Sequence, residues 1–313
     1  MKARMGKILK TLKILRSRDF LLAFSIALGL AWGDGAKVVE KAVLPVLALV
    51  MTLSVMGVPG SAFRSPKALI VPSLVGLLLN YGLLGGLLLG LNFVLIRDDA
   101  LRAGFVIMAA VPPAVAVIPF TLLLNGDSPF SLIATIGCYL GALVIMPLMT
   151  LTFLGDGFAD SRKLVMIMLE LIFAPLVVSR ILRFSGAAKK LDPWKGTLTN
   201  WSFALVTYTI VGLNRNLFLS QPLSIAPVAA IALASTFLLG FGVEGIGRLF
   251  GVDKEKTISM VLLGTHKNTG LAAGLALTLF SDKTALPATV STIFMIVYII
   301  WLSLKGRRGQ SPT

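Results

Sequence analysis

Apolar residues run through this chain in long blocks, without the 3.6- or 2-residue alternation of half-buried elements. A helix needs about 20 apolar residues to cross the roughly 30 Å hydrocarbon core of a bilayer. Blocks of that order stand at 19–33, 42–58, 69–95, 101–125, 129–153, 164–183, 199–213, 225–248, 257–280 and 285–304, most of them bounded by Gly, Pro or charge. The expected fold is therefore all-α and integral to a membrane, with ten transmembrane helices. The longest interruption, 184–198, divides the blocks five and five. It gives a basic segment 1–18, a first five-helix repeat 19–183, a linker 184–198, a second repeat 199–304 and a tail 305–313.

Composition agrees with the pattern. Hydrophobic residues make up 56% of the 313 and charged ones only 14%, against about 25% in soluble domains. Mean hydropathy is +0.90. The single cysteine, Cys138, excludes a disulfide framework and a Cys-based zinc site. A net charge of +15 in a soluble protein would suggest nucleic acid, but here it has a topological meaning. With the N-terminus inside, 20 of the 29 basic residues fall in cytoplasmic segments, 8 fall outside and one, Lys267, falls within the membrane. The positive-inside rule thus places both termini in the cytoplasm of a cell inner (plasma) membrane, and no nucleic-acid partner is expected. The opening "MKARMGKILKTLKILRSR" has the charge of a signal-peptide n-region. It equally suits an interfacial basic helix leading into span one. Cleavage would leave an odd number of spans and spoil the charge asymmetry.

An odd number of spans per half turns the two halves upside down relative to each other, the inverted-repeat plan of many secondary transporters. That plan predicts interrupted helices at matching places. Span four reads "FVIMAAVPPAVAVIPFTLLLNGD", with Pro112, Pro113 and Pro119. Its counterpart, span nine, carries "GTHKNTG", in which Gly264 and Gly270 flank Thr265, His266, Lys267, Asn268 and Thr269. The two spans are expected to break at Pro112, Pro113 and Pro119 and at Gly264 and Gly270, and to cross there. Lys267 lies about eleven residues, roughly 16 Å, from the cytoplasmic end of span nine, too deep to snorkel comfortably. An intramembrane charge at that depth is by default functional. His266 faces away from Lys267; it either satisfies a freed carbonyl or carries a proton or substrate contact. Glu244 and Arg248 read as a structural i,i+4 pair, Gly82, Gly86 and Gly90 as a close-packing face, and Glu170 as a residue just inside span six. No catalytic constellation or cofactor motif is present, so the chain is not expected to be an enzyme.

These residues also carry a resemblance. The tail "KNTGLAAGLAL" resembles the ninth-helix motif of the bile acid:sodium symporter family, in the bile/arsenite/riboflavin transporter superfamily. "PPAVAVIPFTLLLNGDSPFSLIATIG" resembles that family's fourth and fifth helices, "PVLALVMTLSVMGVPGSAFR" its second and "GLLLNYGLLGGLLL" its third. The resemblance implies a panel domain of spans 1, 2, 6 and 7 and a core domain of spans 3–5 and 8–10. Substrate would bind beside the crossing. It also implies that Asn268 fits the motif asparagine, that Ser131 and Thr135 fit two sodium-contacting hydroxyls, and that Asn80 stands where a glutamine meets a second sodium.

The departures alter the chemistry. The family's Ser-Asn pair falls on Val117 and Ile118, its glutamate on Leu263 (or Gly264 with a one-residue slip) and its glutamine on Lys267. A hard cation needs several oxygen ligands, so the sodium site near Ser131, Thr135 and Asn80 is degraded. A glutamate with two sodium ions carries the same net charge as Leu263 with a protonated Lys267. Lys267 is therefore expected to substitute for cation, with Asn80, Ser131, Thr135 and broken-helix carbonyls as partners. The coupling ion is then sodium or proton, or transport is uncoupled. The expected substrate is a small organic anion, because the site has lost its carboxylate and gained Lys267 and His266. Other readings are a sodium symporter with non-standard ligands, an arsenite- or auxin-efflux-like carrier, and a channel. Arsenite carriers place a thiol in the broken fourth helix, whereas Cys138 comes later, in span five.

Overall fold

The computed structural model describes residues 18–56, 66–114, 116–155, 166, 174, 175, 177–220 and 222–308. The basic segment 1–17, half of span six including Glu170, and the last five residues lie outside them. Every described element is helical: α1 Arg18–Ala31, α2 Asp34–Val39, α3 Val43–Met56, α4 Pro66–Leu77, α5 Gly86–Leu95, α6 Asp99–Ala110, α7 Val117–Leu123, α8 Ser128–Leu154, α9 Ala187–Leu213, α10 Arg215–Ser220, α11 Ala226–Leu233, α12 Leu239–Leu249, α13 Lys254–Thr265, α14 Thr269–Leu279 and α15 Leu286–Arg308, with residues 177–184 also helical. Among the described residues there is no strand, only one isolated backbone bridge.

Among the described residues, four helices are long and apolar enough to cross a membrane: Leu69–Leu95, Ser128–Leu154, Ala226–Leu249 and Lys283–Lys305. The remaining expected spans differ from simple rods. Span one ends in a 114° bend between Phe20–Ala31 and Asp34–Ala42. Span two is represented by α3, 14 residues long. Spans four and nine are each divided into two shorter helices. The expected linker 184–198 is helical from Ala187 onward, so its polar residues begin α9.

The chain separates into two compact units, one drawn from residues 1–57 and 173–222, the other from 58–172 and 223–313. In the first, α9 packs along α1, α2 and α3. Small residues make this possible: a methyl added to Gly33 would lie 2.6 Å from the Gly212 carbonyl. The Tyr208 hydroxyl donates to the Trp32 carbonyl at 3.0 Å, where the chain turns after α1.

In the second unit α4 runs through a π-helical stretch, Leu78–Gly85, into α5, and α11 runs through a shorter one, Ala234–Leu238, into α12. Both stretches lie in the span that precedes a broken one. A π-turn leaves an extra residue in the helix and often marks a functional site. Apolar packing gathers Leu79, Val117, Phe130, Ala134, Leu262, Leu263 and Tyr298 into one cluster. The glycine face of span three does not pack as expected. A methyl on Gly86 or Gly90 would meet no atom within 4 Å, and one on Gly82 would meet only Leu78 of its own helix. Glu244 and Arg248 do pair, and Lys305 joins them.

Candidate functional site

The site forms where both interrupted spans cross, inside the second unit. Proline accounts for the first interruption. A residue before proline is pushed out of the helical region, and proline offers no backbone donor. Val111, which precedes Pro112, is extended at φ −67°, ψ 152°, and α6 stops at Ala110. The chain resumes helix at Val117. Pro119 lies in the first turn of α7, where its missing donor costs nothing, so it does not break the span. In span nine the interruption is His266–Asn268, with His266 extended at φ −120°, ψ 101°. Gly264 and Gly270 fall inside the flanking helices α13 and α14, correcting their expected role as the breaking residues.

The two extended segments pair antiparallel, Pro113 opposite Lys267. The Ala114 N–H donates to the His266 carbonyl at 3.0 Å and the Asn268 N–H to the Pro112 carbonyl at 2.9 Å. Buried backbone groups must find partners, and each interruption supplies them to the other.

Lys267 lies at the centre, only 1% exposed. Its ammonium donates to Asn80 Oδ1 at 2.9 Å, to the Ala109 carbonyl at 2.7 Å and to the Val111 carbonyl at 2.9 Å. It also stands 4.3 Å from the centroid of the Tyr81 ring, within cation–π range. Ala109 and Val111 belong to the end of α6, where unpaired carbonyls carry partial negative charge. Asn80 extends the network, since its Nδ2 donates to the Leu263 carbonyl near the end of α13 at 3.0 Å. One amine and one amide therefore tie the C-terminal ends of two half-helices together.

Asn80 and Tyr81 are consecutive, yet both address the same amine. They sit in the π-helical stretch Leu78–Gly85, where neighbouring side chains diverge less than the 100° of an α-helix.

The other expected residues separate into distinct groups. Asn268 caps α14, accepting from the Leu271 N–H at 3.1 Å, and donates to the Tyr139 hydroxyl at 3.0 Å. The Thr269 hydroxyl accepts from Thr292 at 2.8 Å. Thr265 bonds back to the Val261 carbonyl and shares a 2.8 Å hydrogen bond with His266 Nδ1. The His266 ring turns away from Lys267 toward Phe120 and Tyr298, with centroids 6.2 and 6.3 Å away.

Ser131 and Thr135 do not join the Lys267 network. An ammonium has three protons, and Asn80 and the two carbonyls use them all. Ser131 instead pairs with Thr121 at 2.8 Å. The Thr135 hydroxyl is buried and has no hydrogen-bond partner among the described residues. Val117 and Leu263, where oxygen ligands would be needed for a cation, are 0% exposed and belong to the apolar cluster. Among the described residues no three His, Cys, Asp or Glu side chains come together to hold a metal.

Sequence reasoning missed Tyr81, Thr121 and Tyr139; it anticipated broken-helix carbonyls as partners of Lys267 without singling out those of Ala109 and Val111. Tyr81 carries a usable signal, a polar aromatic directly beside Asn80 in span three. The carbonyls carry none, because every residue has one.

Residues 68–303 match the sequence profile of the SBF-like CPA transporter family. The chain is also similar to the uncharacterized sodium-dependent transporter YocS of Bacillus subtilis (strain 168), 23% identical over 237 residues, which cover 74% of this chain and 70% of that protein.

Proposed function

Because the chain belongs to the SBF-like CPA transporter family and is thus a multi-pass membrane transporter, not an enzyme, we propose that it moves a small organic anion by alternating access, with Lys267 occupying the place of a bound cation. The observation that carries this reading is the 1%-exposed Lys267 ammonium on three oxygen acceptors at the ends of interrupted helices. Such an end offers what a cation needs: carbonyl oxygens bearing partial negative charge. The protein's own amine supplies the charge, so the crossing needs no ion there to stay closed.

The same reading assigns ten spans in two inverted repeats, with both termini in the cytoplasm of the inner membrane. The two compact units support a panel-and-core division: the first holds spans 1, 2 and 7, the second spans 3–5 and 8–10. π-helical stretches in the third span of each half and breaks in the fourth support the repeat. An anionic substrate is favoured by the positive end of α14 and the Asn268 amide. Lys267 itself is sealed by its acceptors and acts through its field and by holding the crossing.

Sodium-coupled symport is the second reading. It is favoured by the name of the Bacillus subtilis relative and by the buried Thr135 hydroxyl without a partner. One experiment separates the two. A thermal-shift screen of small organic anions, with and without sodium and across pH, identifies a ligand; labelled ligand is then followed into proteoliposomes. Uptake indifferent to a sodium gradient and abolished by Lys267→Gln is the expected result. Uptake that requires sodium and survives Lys267→Gln would establish the second reading instead.

A further inference from the structure

The helical hairpin around residues 177–198 carries a concentration of charge that transport at the crossing does not use. Between residues 180 and 195 the sequence holds Arg180, Arg183, Lys189, Lys190 and Lys195 against one carboxylate, Asp192. Helical residues 177–184 turn into α9 through Ser185 and Gly186. Gly186 adopts φ 76°, a conformation that glycine takes without a side-chain penalty. Across the turn, Arg183 of one arm is close enough to Lys195 of the other for their charges to interact. Arg183 is held in place by a 3.2 Å hydrogen bond from Nη1 to the Met56 carbonyl, at the negative end of α3. Burial lowers the Lys195 ammonium's pKa; Asp192 raises it again and nearby Arg183 lowers it further.

Large apolar side chains surround this charge. Phe184 is 88% exposed and Trp194 58%. Lys190 and Trp194 are one helical turn apart on a shared face, and exposed Trp201 follows seven residues later, about 10 Å along the axis. On the other arm, exposed Val177, Ile181 and Phe184 form a ridge at i, i+4 and i+7. In water these ridges would be costly. At a membrane interface aromatic rings lie at headgroup level and aliphatic ridges meet acyl chains. Charge and exposed apolar surface therefore lie side by side on both arms.

We propose that this hairpin binds an anionic phospholipid of the cytoplasmic leaflet, the cations holding the headgroup phosphate and the exposed ridges lying along the acyl chains. The leaflet rests on the topology proposed above; the lipid chemistry does not. General positive-inside bias predicts only diffuse attraction. A clamped arginine beside a lysine cluster, flanked by apolar ridges, predicts preference for one kind of lipid.

The test uses the full-length protein and native mass spectrometry. Phosphatidylglycerol and phosphatidylcholine of matched chain length are offered in competition, with glycerol 3-phosphate as a soluble headgroup. Retention of phosphatidylglycerol over phosphatidylcholine is expected. The Lys189→Gln/Lys190→Gln/Lys195→Gln variant should lose that preference, by about fivefold per lysine and on the order of a hundredfold for the three. Should the triple variant fail to purify, Lys190→Gln alone carries the test with about a fivefold loss. Equal retention of both lipids by the unmodified protein, or undiminished preference in the variant, would overturn the proposal. Displacement by glycerol 3-phosphate at equal concentration would also overturn it, since the site would then bind free anions. Labelling of a Lys190→Cys variant from the outer side would refute the leaflet without touching the lipid counts, and loss of uptake alone would bear only on transport.

Discussion

The two interruptions at the crossing do opposite chemistry. The first, around Pro112 and Pro113, presents carbonyls: Ala109 and Val111 accept from Lys267, and Pro112 accepts from the Asn268 N–H. The second, His266–Asn268, presents the polar side chains. The preceding spans repeat the contrast. The first π-helical stretch sends Asn80 and Tyr81 to the amine, whereas in the second Ser235 and Thr236 bond back to the Ala232 carbonyl of their own helix. The crossing thus has its acceptor carbonyls at the first interruption and its buried amine at the second. Breaking a helix in a membrane leaves freed backbone groups that must find new partners. Here Lys267 and Asn80 supply donors to the freed carbonyls.

Removing the cation should have the largest effect. Lys267→Met keeps most of the volume but leaves Asn80 Oδ1 and two carbonyls buried without their donor, each costing about 1–3 kcal/mol. A loss of about 3 kcal/mol or more is expected in thermal unfolding of the purified protein, together with loss of uptake. A methionine variant as stable as the parent would mean that the amine does not hold the helix ends. Asn80→Ala should follow at about 2–4 kcal/mol, because it removes both an acceptor of Lys267 and the donor to Leu263. If Asn80→Ala costs nothing while Lys267→Met costs much, the link to α13 is incidental and only the α6 end matters.

The half-helices themselves can be compared through glycine. A methyl on Gly104 in α6 would lie 2.2 Å from the Thr284 carbonyl, a backbone atom with little room to move. On Gly264 in α13 the nearest atom, Val243 Cγ2, is 3.4 Å away. Gly104→Ala should therefore cost about 1–3 kcal/mol by overpacking, and Gly264→Ala less than about 1 kcal/mol. Equal costs would show that both half-helices are clamped alike.

The asymmetry was only partly legible beforehand. Polar residues in an apolar run and paired prolines mark the breaks because each is expensive in lipid, and their matching ordinal places bring Lys267, Pro112 and Pro113 to attention, whereas Asn80 comes from the resemblance alone. Gly264 and Gly270 misled, since a glycine permits close approach as readily as a bend. The resemblance gives Ser131 and Thr135 to sodium and the charge arithmetic gives them to the amine, but the proton count of an ammonium leaves no place for them. The π-helical stretch that aligns Asn80 with Tyr81 has no side-chain signature, and neither do the accepting carbonyls.

The smallest effect concerns where the two broken spans begin. Asp98 caps α6, accepting from the Leu101 N–H at 3.1 Å, and its other oxygen accepts from Lys283 at 2.7 Å. Asp253, at the start of α13, makes no side-chain cap. Burial pushes the Asp98 carboxyl up, but the bonds from Lys283 and Leu101 outweigh it and hold it below the usual carboxylate range. A depressed folded value means stability that is present above the unfolded value near 3.8 and lost as pH falls through the folded one. With Asp98 at 40% side-chain exposure, solvent screening limits the contribution to no more than about 1 kcal/mol. Asparagine also caps helices well, so Asp98→Asn should keep the cap and lose the ion pair. Melting temperatures taken from pH 6 down to pH 3 should then converge for parent and variant in acid and differ slightly at neutral pH, while Asp253→Asn should follow the parent throughout. A parallel offset between parent and Asp98→Asn at every pH would mean that the carboxylate's charge is idle and that the two starts differ only in hydrogen bonding.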